Sequence, residues 1–222
     1  MLLAVDTSTS QVGVALYDGA QVRGETSWQS SQHHTIELAP AVAELLRRCG
    51  LTMDDVQALG VALGPGSFTS LRVGLSLVKG LALARRLPVI GIPTLDIHAA
   101  GQPVSKLPLL AAIQAGRRRL AIGWYKGTKH GWRARGPASV VSADSLIFEI
   151  RTPSIVCGEF TAEERQNLAR DEVNVKLASP AQSVRRPSIL AELAWKRWQS
   201  GDVDELATLA PVYLHATVPN AV

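Results

Sequence analysis

Gly64-Pro65-Gly66-Ser67-Phe68-Thr69-Ser70-Leu71-Arg72-Val73-Gly74 joins one apolar run, Val56 to Leu63, to a longer one, Leu71 to Arg86. The first has the length and composition of a buried strand, and the second is long enough for a helix. The chain therefore leaves a strand, turns through Gly-Pro-Gly and enters a helix. Gly64 and Gly66 can take φ > 0 in that turn, and Pro65 fixes φ between them. Ser67 or Thr69 is placed to cap the helix by accepting a bond from an orphan backbone N–H. Such a helix start can hold an anion. No Gly-Lys-Ser/Thr follows, so the stretch is not a Walker phosphate loop.

The helix expected over 69–86 is apolar on most of its circumference. Leu71, Leu75, Val78 and Ala82 form one stripe, and Val73, Leu77, Leu81 and Ala84 another. Its charges are Arg72, Lys79, Arg85 and Arg86. A helix of this kind is covered on more than one side. Gly74 and Gly80 lie inside it, each costing about 1 kcal/mol relative to Ala, a cost that close approach by another backbone would offset. Two readings share these facts: a central core helix, or a helix packed on its own sheet and also on a partner subunit.

The 222 residues suffice for one large domain or two small ones of about 100 residues each. A hydrophobic content of 46% is ordinary for a packed globule. No run of about 20 apolar residues occurs, so no membrane span is expected. The start, Met1-Leu2-Leu3-Ala4-Val5-Asp6, lacks the basic region of a signal peptide. Cys49 and Cys157 sit far apart without a motif and read as free thiols in a reducing cytoplasm. Residues 1–100 carry 7 Lys and Arg against 8 Asp and Glu, net −1; residues 101–222 carry 16 against 11, net +5. Lys106 to Arg135 contains no acid. There Arg117, Arg118, Arg119, Lys126, Lys129, Arg133 and Arg135 are interleaved with Trp124, Tyr125 and Trp132. That mixture suits a nucleic-acid backbone with some stacking; it equally suits the solvated face of two antiparallel strands.

Along the chain, Leu2–Val5, Val12–Leu16 and Val22–Ser27 read as a meander, with Asp18-Gly19 as a hairpin turn. A helix over 35–48 follows, with Pro40 in its first turn and Gly50 past its end. Strand 56–63, helix 69–86 and strand 89–92 complete a β-β-β-α-β-α-β half. Strands at 107–113, 120–125, 132–135, 154–156 and 173–177, with helices at 162–169 and 188–199, repeat that order weakly. The pattern implies a duplicated α/β fold divided near Gly101-Gln102-Pro103: an N-terminal lobe of 1–101 and a divergent C-terminal lobe of 102–222, whose tail can pack back on either half.

Ala4-Val5-Asp6-Thr7-Ser8-Thr9, the Gly64–Gly74 turn and helix, Gly91-Ile92-Pro93-Thr94-Leu95 and Pro211-Val212-Tyr213-Leu214 together resemble the TsaB (YeaZ) family. The resemblance is dense over 1–100 and thin from 101 to about 205. It implies an α/β fold of the actin/Hsp70/sugar-kinase (ASKHA) class, two lobes each built on an RNase-H-like sheet. It also implies a non-catalytic scaffold in the bacterial tRNA threonylcarbamoyladenosine complex, paired with the catalytic paralogue TsaD and joined by the ATPase TsaE. That assembly transfers a threonylcarbamoyl group from its adenylate to N6 of adenosine 37 in tRNAs reading ANN codons, so tRNA is met through the complex. The family's contact surface is a helical bundle, used also for homodimers. On this chain it maps to helices 35–48 and 69–86, with Ile36, Leu38, Leu45, Ser70, Leu71, Val73, Gly74, Leu77, Val78 and Leu81 as the interface. A bulky charge at Gly74 is then expected to block association while leaving the lobe folded.

Catalytic equipment reads as incomplete. The catalytic paralogue has a His-x-x-x-His metal pair where this chain has Thr94 and His98, and one imidazole cannot hold a metal alone. His33 and His34 are adjacent, so their side chains diverge. Neither a metal nor a required cofactor is expected, and the metalloprotease label once attached to the wider family finds no ligand pair here. Asp6, Thr7 and Ser8 can form a vestigial phosphate loop, which allows weak nucleotide binding; Asp6 reads equally as a turn residue. The second lobe offers no Gly-Gly turn, only Cys157-Gly158-Glu159, whose acid repels phosphate. The family's Asp-Ala-Arg segment is Gln114-Ala115-Gly116 here, and Ser70 stands where Gly is usual. The alternative reading is a stand-alone ATP-using enzyme of this fold, a kinase or carbamoyltransferase. Direct tRNA contact through Arg117–Arg135 is a further one.

Overall fold

The computed structural model describes residues 1–30 and 34–214, so His33 lies outside the described residues. Contacts divide the chain into two compact units. One is Met1–Ile97 with Arg185–Val212, and the other is built on His98–Val184. The sequence divided the chain near residue 101 and left only the tail, 202–222, able to pack back on either half. Residues 185–212 belong instead with the first unit, because the helix of Pro187–Gln199 buries its apolar face on that unit's sheet.

The first unit contains β1 (Leu2–Asp6), β2 (Gln11–Tyr17), β3 (Val22–Gln29), α1 (His34–Arg48), β4 (Ala58–Gly64), α2 (Phe68–Arg85) and β5 (Val89–Pro93). Its strands lie in the order β3-β2-β1-β4-β5. β3, β2 and β1 are antiparallel, as the Asp18-Gly19 turn dictates, while β1, β4 and β5 are parallel and joined by helical crossovers. α3 (Thr94–Ala100) follows β5 directly. The second unit contains β6 (Leu109–Gln114), β7 (Arg119–Thr128), β8 (Gly131–Ala134), β9 (Ser139–Ser142), α4 (Leu146–Glu149), β10 (Ser154–Gly158), α5 (Ala162–Leu168) and β11 (Val175–Leu177). Its path is β11-β10-β6-β7-β8, with β9 pairing β7 beside β8. Three antiparallel strands followed by two parallel ones appear in both sheets, so each is RNase-H-like and the chain has the ASKHA architecture. α3 and β9 were not anticipated from sequence; one is two turns long and the other four residues.

The burial of β1 shows how the first sheet is held. All five of its residues are buried, with no alternation, as happens when a sheet is covered on both faces. Leu3 and Val5 point into a cluster with Leu38, Leu45, Leu75 and Val78 of α1 and α2. Leu2 and Ala4 point the other way, into a cluster with Leu190, Ala191 and Ala194 of α6 (Pro187–Gln199). Each fully buried leucine contributes roughly 1.5–3 kcal/mol. Small residues set the spacing on the α6 side: a Cβ on Gly60 would sit 2.9 Å from that of Ala194. The far end of α6 is fastened by Arg197, which donates to Asp202, Asp204 and the Gly91 carbonyl. Val212 N–H donates to the Leu63 carbonyl at 2.7 Å, so the tail packs beside β4. α1 starts at His34, and Pro40, its seventh residue, lies in the second turn rather than the first.

The two cysteines separate cleanly. Cys157 on β10 is fully buried, and desolvation pushes its thiol up to about 12. Cys49 is half-buried, its thiol 3.3 Å from the Arg23 carbonyl. Because the thiolate is the reactive form, a disulfide reagent at pH 8 is expected to label one thiol per native chain and the second only after unfolding. The Cys49→Ser variant should give no native labelling. Rapid reaction of both thiols in the folded protein would contradict the buried placement of Cys157.

Candidate functional site

The turn at 64–66 brings the start of α2 onto the turn between β1 and β2. Gly64 has φ +105°, as the sequence required, and the Gly64–Pro65 peptide is cis. Gly66 serves a different purpose: a Cβ there would run into the Ser8 carbonyl oxygen. That same oxygen accepts from Ser67 N–H at 2.7 Å. Ser67 is the N-cap, its Oγ accepting from Ser70 Oγ at 3.0 Å and, more loosely, from Ser70 N–H at 3.5 Å. Thr69 is not the cap and faces solvent.

Every side chain of the proposed phosphate loop is spoken for inside the first unit. Thr7 Oγ1 donates to the Ser70 carbonyl at 2.7 Å. Ser8 Oγ shares a hydrogen bond with Thr94 Oγ1 at 2.7 Å, and Thr94 Oγ1 also accepts from Gly64 N–H. Asp6 accepts from Ser8 N–H at 2.9 Å and receives Arg185 Nε on its other oxygen at 2.5 Å. The guanidinium of Arg185 also donates to Thr9 Oγ1 and the Gln11 carbonyl. Both members of the pair are sealed, with side-chain exposures of 0% for Arg185 and 2% for Asp6. A cation from 179 residues along the chain thus sits where a phosphate loop would leave its carboxylate open. Nothing local in the sequence marks Arg185, which is why it was missed.

The second unit ends its first strand differently. Gln114 closes β6 as Asp6 closes β1, and its amide donates to the Glu159 carbonyl and to Glu164. Gly158 has φ +147°, and a Cβ there would strike the Ala112 carbonyl. The turn after β10 is therefore filled by backbone and by two acids. Thr94 and His98 lie one turn apart on α3 and are both buried. His34 is buried too, with Nε2 3.2 Å from the Thr9 carbonyl. Among the described residues no group of three or more His, Cys, Asp or Glu side chains is placed to hold a metal.

The ten expected interface residues divide into two sets. Leu38, Leu45, Ser70, Leu71, Gly74 and Val78 are buried against the unit's own sheet and turn. The stripe 71-74-75-78-82 is the inward face of α2. Gly74 in particular lies against Thr7, whose Oγ1 and Cγ2 occupy the space of a Cβ. A bulky residue there would break the lobe rather than spare it, so the sequence-based expectation for Gly74 is corrected. Ile36, exposed at 68%, and the half-buried Val73, Leu77 and Leu81 remain available. Val73 and Leu77 line a groove of about 430 Å³ between α1 and α2, together with Ala39, Phe68 and Ser76. Arg72 lies over the Phe68 ring, 3.5 Å from its centroid. Thr69, Val73, Ser76, Gly80 and Leu83 continue this outward face at helical steps of four, three, four and three. Leu83 is 71% exposed, and among the described residues a Cβ on Gly80 would meet no atom within 4 Å beyond its own stretch of helix.

The basic stretch does not form one surface. Arg117 and Arg118 have positive φ in the turn before β7, and Arg118 is ion-paired with Asp144 at 3.1 Å and Glu163 at 3.6 Å. Arg119 opens β7, whereas Lys126 and Arg133 face each other near its other end, about 23 Å away at strand rise. Tyr125 is buried, and Trp132 donates to the Gln102 carbonyl from the opposite face of the ribbon.

A doubled RNase-H-like fold with a sealed first turn and an outward apolar helix pair places the chain in the actin-like class. Residues 25–149 match the family model described as TsaD: tRNA N6-adenosine threonylcarbamoyltransferase. The chain is 30% identical over 219 residues to the tRNA threonylcarbamoyladenosine biosynthesis protein TsaB of Bacillus subtilis (strain 168), covering 96% of this chain and 93% of that one. It is 32% identical over 146 residues to TsaB of Escherichia coli (strain K12), 64% of this chain and 63% of that one. The solved structure of YeaZ from Pseudomonas aeruginosa superposes with a TM-score of 0.78 at 26% identity, covering 96% and 99% of the two chains. The chain belongs to the TsaB family.

Removing one partner of a buried pair leaves an uncompensated charge, which costs roughly 3–5 kcal/mol. Arg185→Ala is therefore expected to lower the thermal midpoint by ~6–20 °C at the usual 2–4 °C per kcal/mol for this size. The double variant Asp6→Asn, Arg185→Met should recover part of that loss. A loss below about 1 kcal/mol in Arg185→Ala would show that the pair does not seal the turn.

Proposed function

We propose that the chain is a non-catalytic scaffold subunit in tRNA threonylcarbamoyladenosine synthesis, docking the catalytic paralogue TsaD through the outward face of α1 and α2. On its own it pairs with itself through the same face. The observation that carries this reading is the apolar surface of the two helices: Phe68, Val73 and Leu77 line the α1–α2 groove, and Ile36 and Leu83 are exposed on the same helices. Apolar surface gains about 25 cal/mol per Å² when covered. Stable partners bury upwards of about 1,000 Å² in total, a scale that two helices of 15 and 18 residues can offer. The relatives' names supply tRNA threonylcarbamoyladenosine as the product, and the family model supplies the kinship to TsaD. TsaE joins the pair as the ATPase, tRNA is engaged through the complex, and the cytoplasm is the site of action.

The same reading accounts for the sealed turn. Efficient phosphoryl chemistry in this fold needs an open carboxylate near the phosphates, and here Asp6 is bound to Arg185. The stand-alone kinase or carbamoyltransferase reading has no observation in its favour. Scaffold function asks the first unit only to be rigid and to present its helices, and the buried pair serves that.

Gly80 gives a test that separates docking from folding. Any residue other than proline improves helix propensity there, by up to about 1 kcal/mol, and the space is open. Gly80→Arg and Leu83→Glu are expected to keep or raise the thermal midpoint, yet to lose co-purification with the cognate TsaD and self-association by light scattering. Gly74→Arg should instead unfold the lobe. Normal complex formation by both Gly80→Arg and Leu83→Glu would remove α2 from the interface.

A further inference from the structure

The β7–β8 ribbon places on one face what the sequence scatters. Lys126 lies directly opposite Arg133, and Arg135 N–H donates to the Trp124 carbonyl at 2.8 Å, so the next pair along is Trp124 and Arg135. Side chains alternate along strands, so these four share a face. Trp124 and Arg135 also line a groove of about 390 Å³ in the second unit, with Arg151 and Glu149 on its wall. Lys126, Arg133, Arg135 and Arg151 are all exposed. None of the four forms an ion pair among the described residues, unlike Arg118 at the other end of β7.

Like charges directly opposite on a ribbon are destabilising, and an anion lying between Lys126 and Arg133 removes the repulsion. Guanidinium groups hold phosphate through two parallel donors. An indole at the edge of such a groove gives a base a stacking surface worth about 1–3 kcal/mol. Trp124 is half-buried, its body packed on the core beside Leu120 and Ile122, so the ring is held rigidly. Glu149 is the one acid in the groove, and a carboxylate beside a stacked base accepts from an exocyclic amine. An acidic protein segment would use the cations but neither the indole nor the acid.

We propose that this face binds RNA directly, taking the phosphates of a loop or single-stranded segment on Lys126, Arg133, Arg135 and Arg151 and one base against Trp124. The choice of RNA rests on the tRNA reading of the function; the placement of the surface does not. It lies in the second unit, whereas the proposed docking helices lie in the first.

The test is binding of an unmodified tRNA transcript to the full chain, followed by fluorescence anisotropy across a potassium chloride series. Lys126→Gln with Arg133→Gln should weaken binding more than tenfold at low salt. The slope of log K against log salt should fall by about 1.4, two phosphate contacts at ~0.7 each. Arg117→Gln with Arg119→Gln removes the same charge at the other end of β7 and should change affinity less than twofold. Indole quenching by the transcript should diminish in Trp124→Phe. Equal losses in the two charge variants would overturn the site in favour of a diffuse basic field. So would absence of salt-dependent binding up to 100 µM. Loss of TsaD co-purification in Lys126→Gln with Arg133→Gln, with RNA affinity intact, would make the face a protein contact. Failure of the α2 variants to disturb TsaD binding leaves this assay unaffected, so the two readings fail separately.

Discussion

A carboxylate in the interior of a protein has to be met by a cation and by donors for its remaining lone pairs. Asp6 is met by the side chain of Arg185 and by the backbone of Ser8. That requirement ties the first strand to a residue 179 positions along the chain. Arg185 lies two residues before α6, so fastening it also delivers α6 to the back of the first sheet. There Leu190, Ala191 and Ala194 meet Leu2 and Ala4. The sheet is then covered on both faces, and β1 can be apolar throughout its length.

The front of the same sheet depends on the same turn. With Thr7, Ser8 and Thr9 held in place, the Ser8 carbonyl fixes Ser67 and the Thr7 hydroxyl fixes Ser70, which sets the first turn of α2. Gly66 and Gly74 are glycines because the turn passes where their side chains would be. α2 is thereby held rigidly, and its second apolar face points outward beside α1. The polar side chains of this turn are engaged in building the platform on which α2 sits. In the second unit, the Gln114 amide does the corresponding work, donating to the Glu159 carbonyl and the Glu164 carboxylate.

Much of the fold was legible. Asp18-Gly19 between short apolar runs dictates a hairpin, and Gly-Pro-Gly between a strand and an apolar stretch dictates a crossover turn. The repeated order of elements pointed to two like sheets, and both have the expected topology. Less was legible in the candidate site. Periodicity distinguishes one helix face from another but not which face a sheet will cover, so Leu71, Gly74 and Val78 were assigned outward when they lie inward. The two glycines of α2 looked alike in sequence, yet Gly74 meets Thr7 and Gly80 meets nothing. The arginines of 117–135 were read as one patch because they are near in sequence, although a strand carries its two ends far apart.

The sequence by itself determined most of the elements, their order and the duplicated class, because turn chemistry and hydrophobic period act over a few residues and leave a local record; the family was legible only as a resemblance of short motifs. Tertiary structure decided which residues share a surface. The Asp6–Arg185 pair, the passage of α6 to the first sheet and the single face holding Trp124, Lys126, Arg133 and Arg135 are long-range juxtapositions. They depend on how packed layers are closed and on strand register, and a carboxylate looks the same in sequence whether a distant guanidinium will reach it or not.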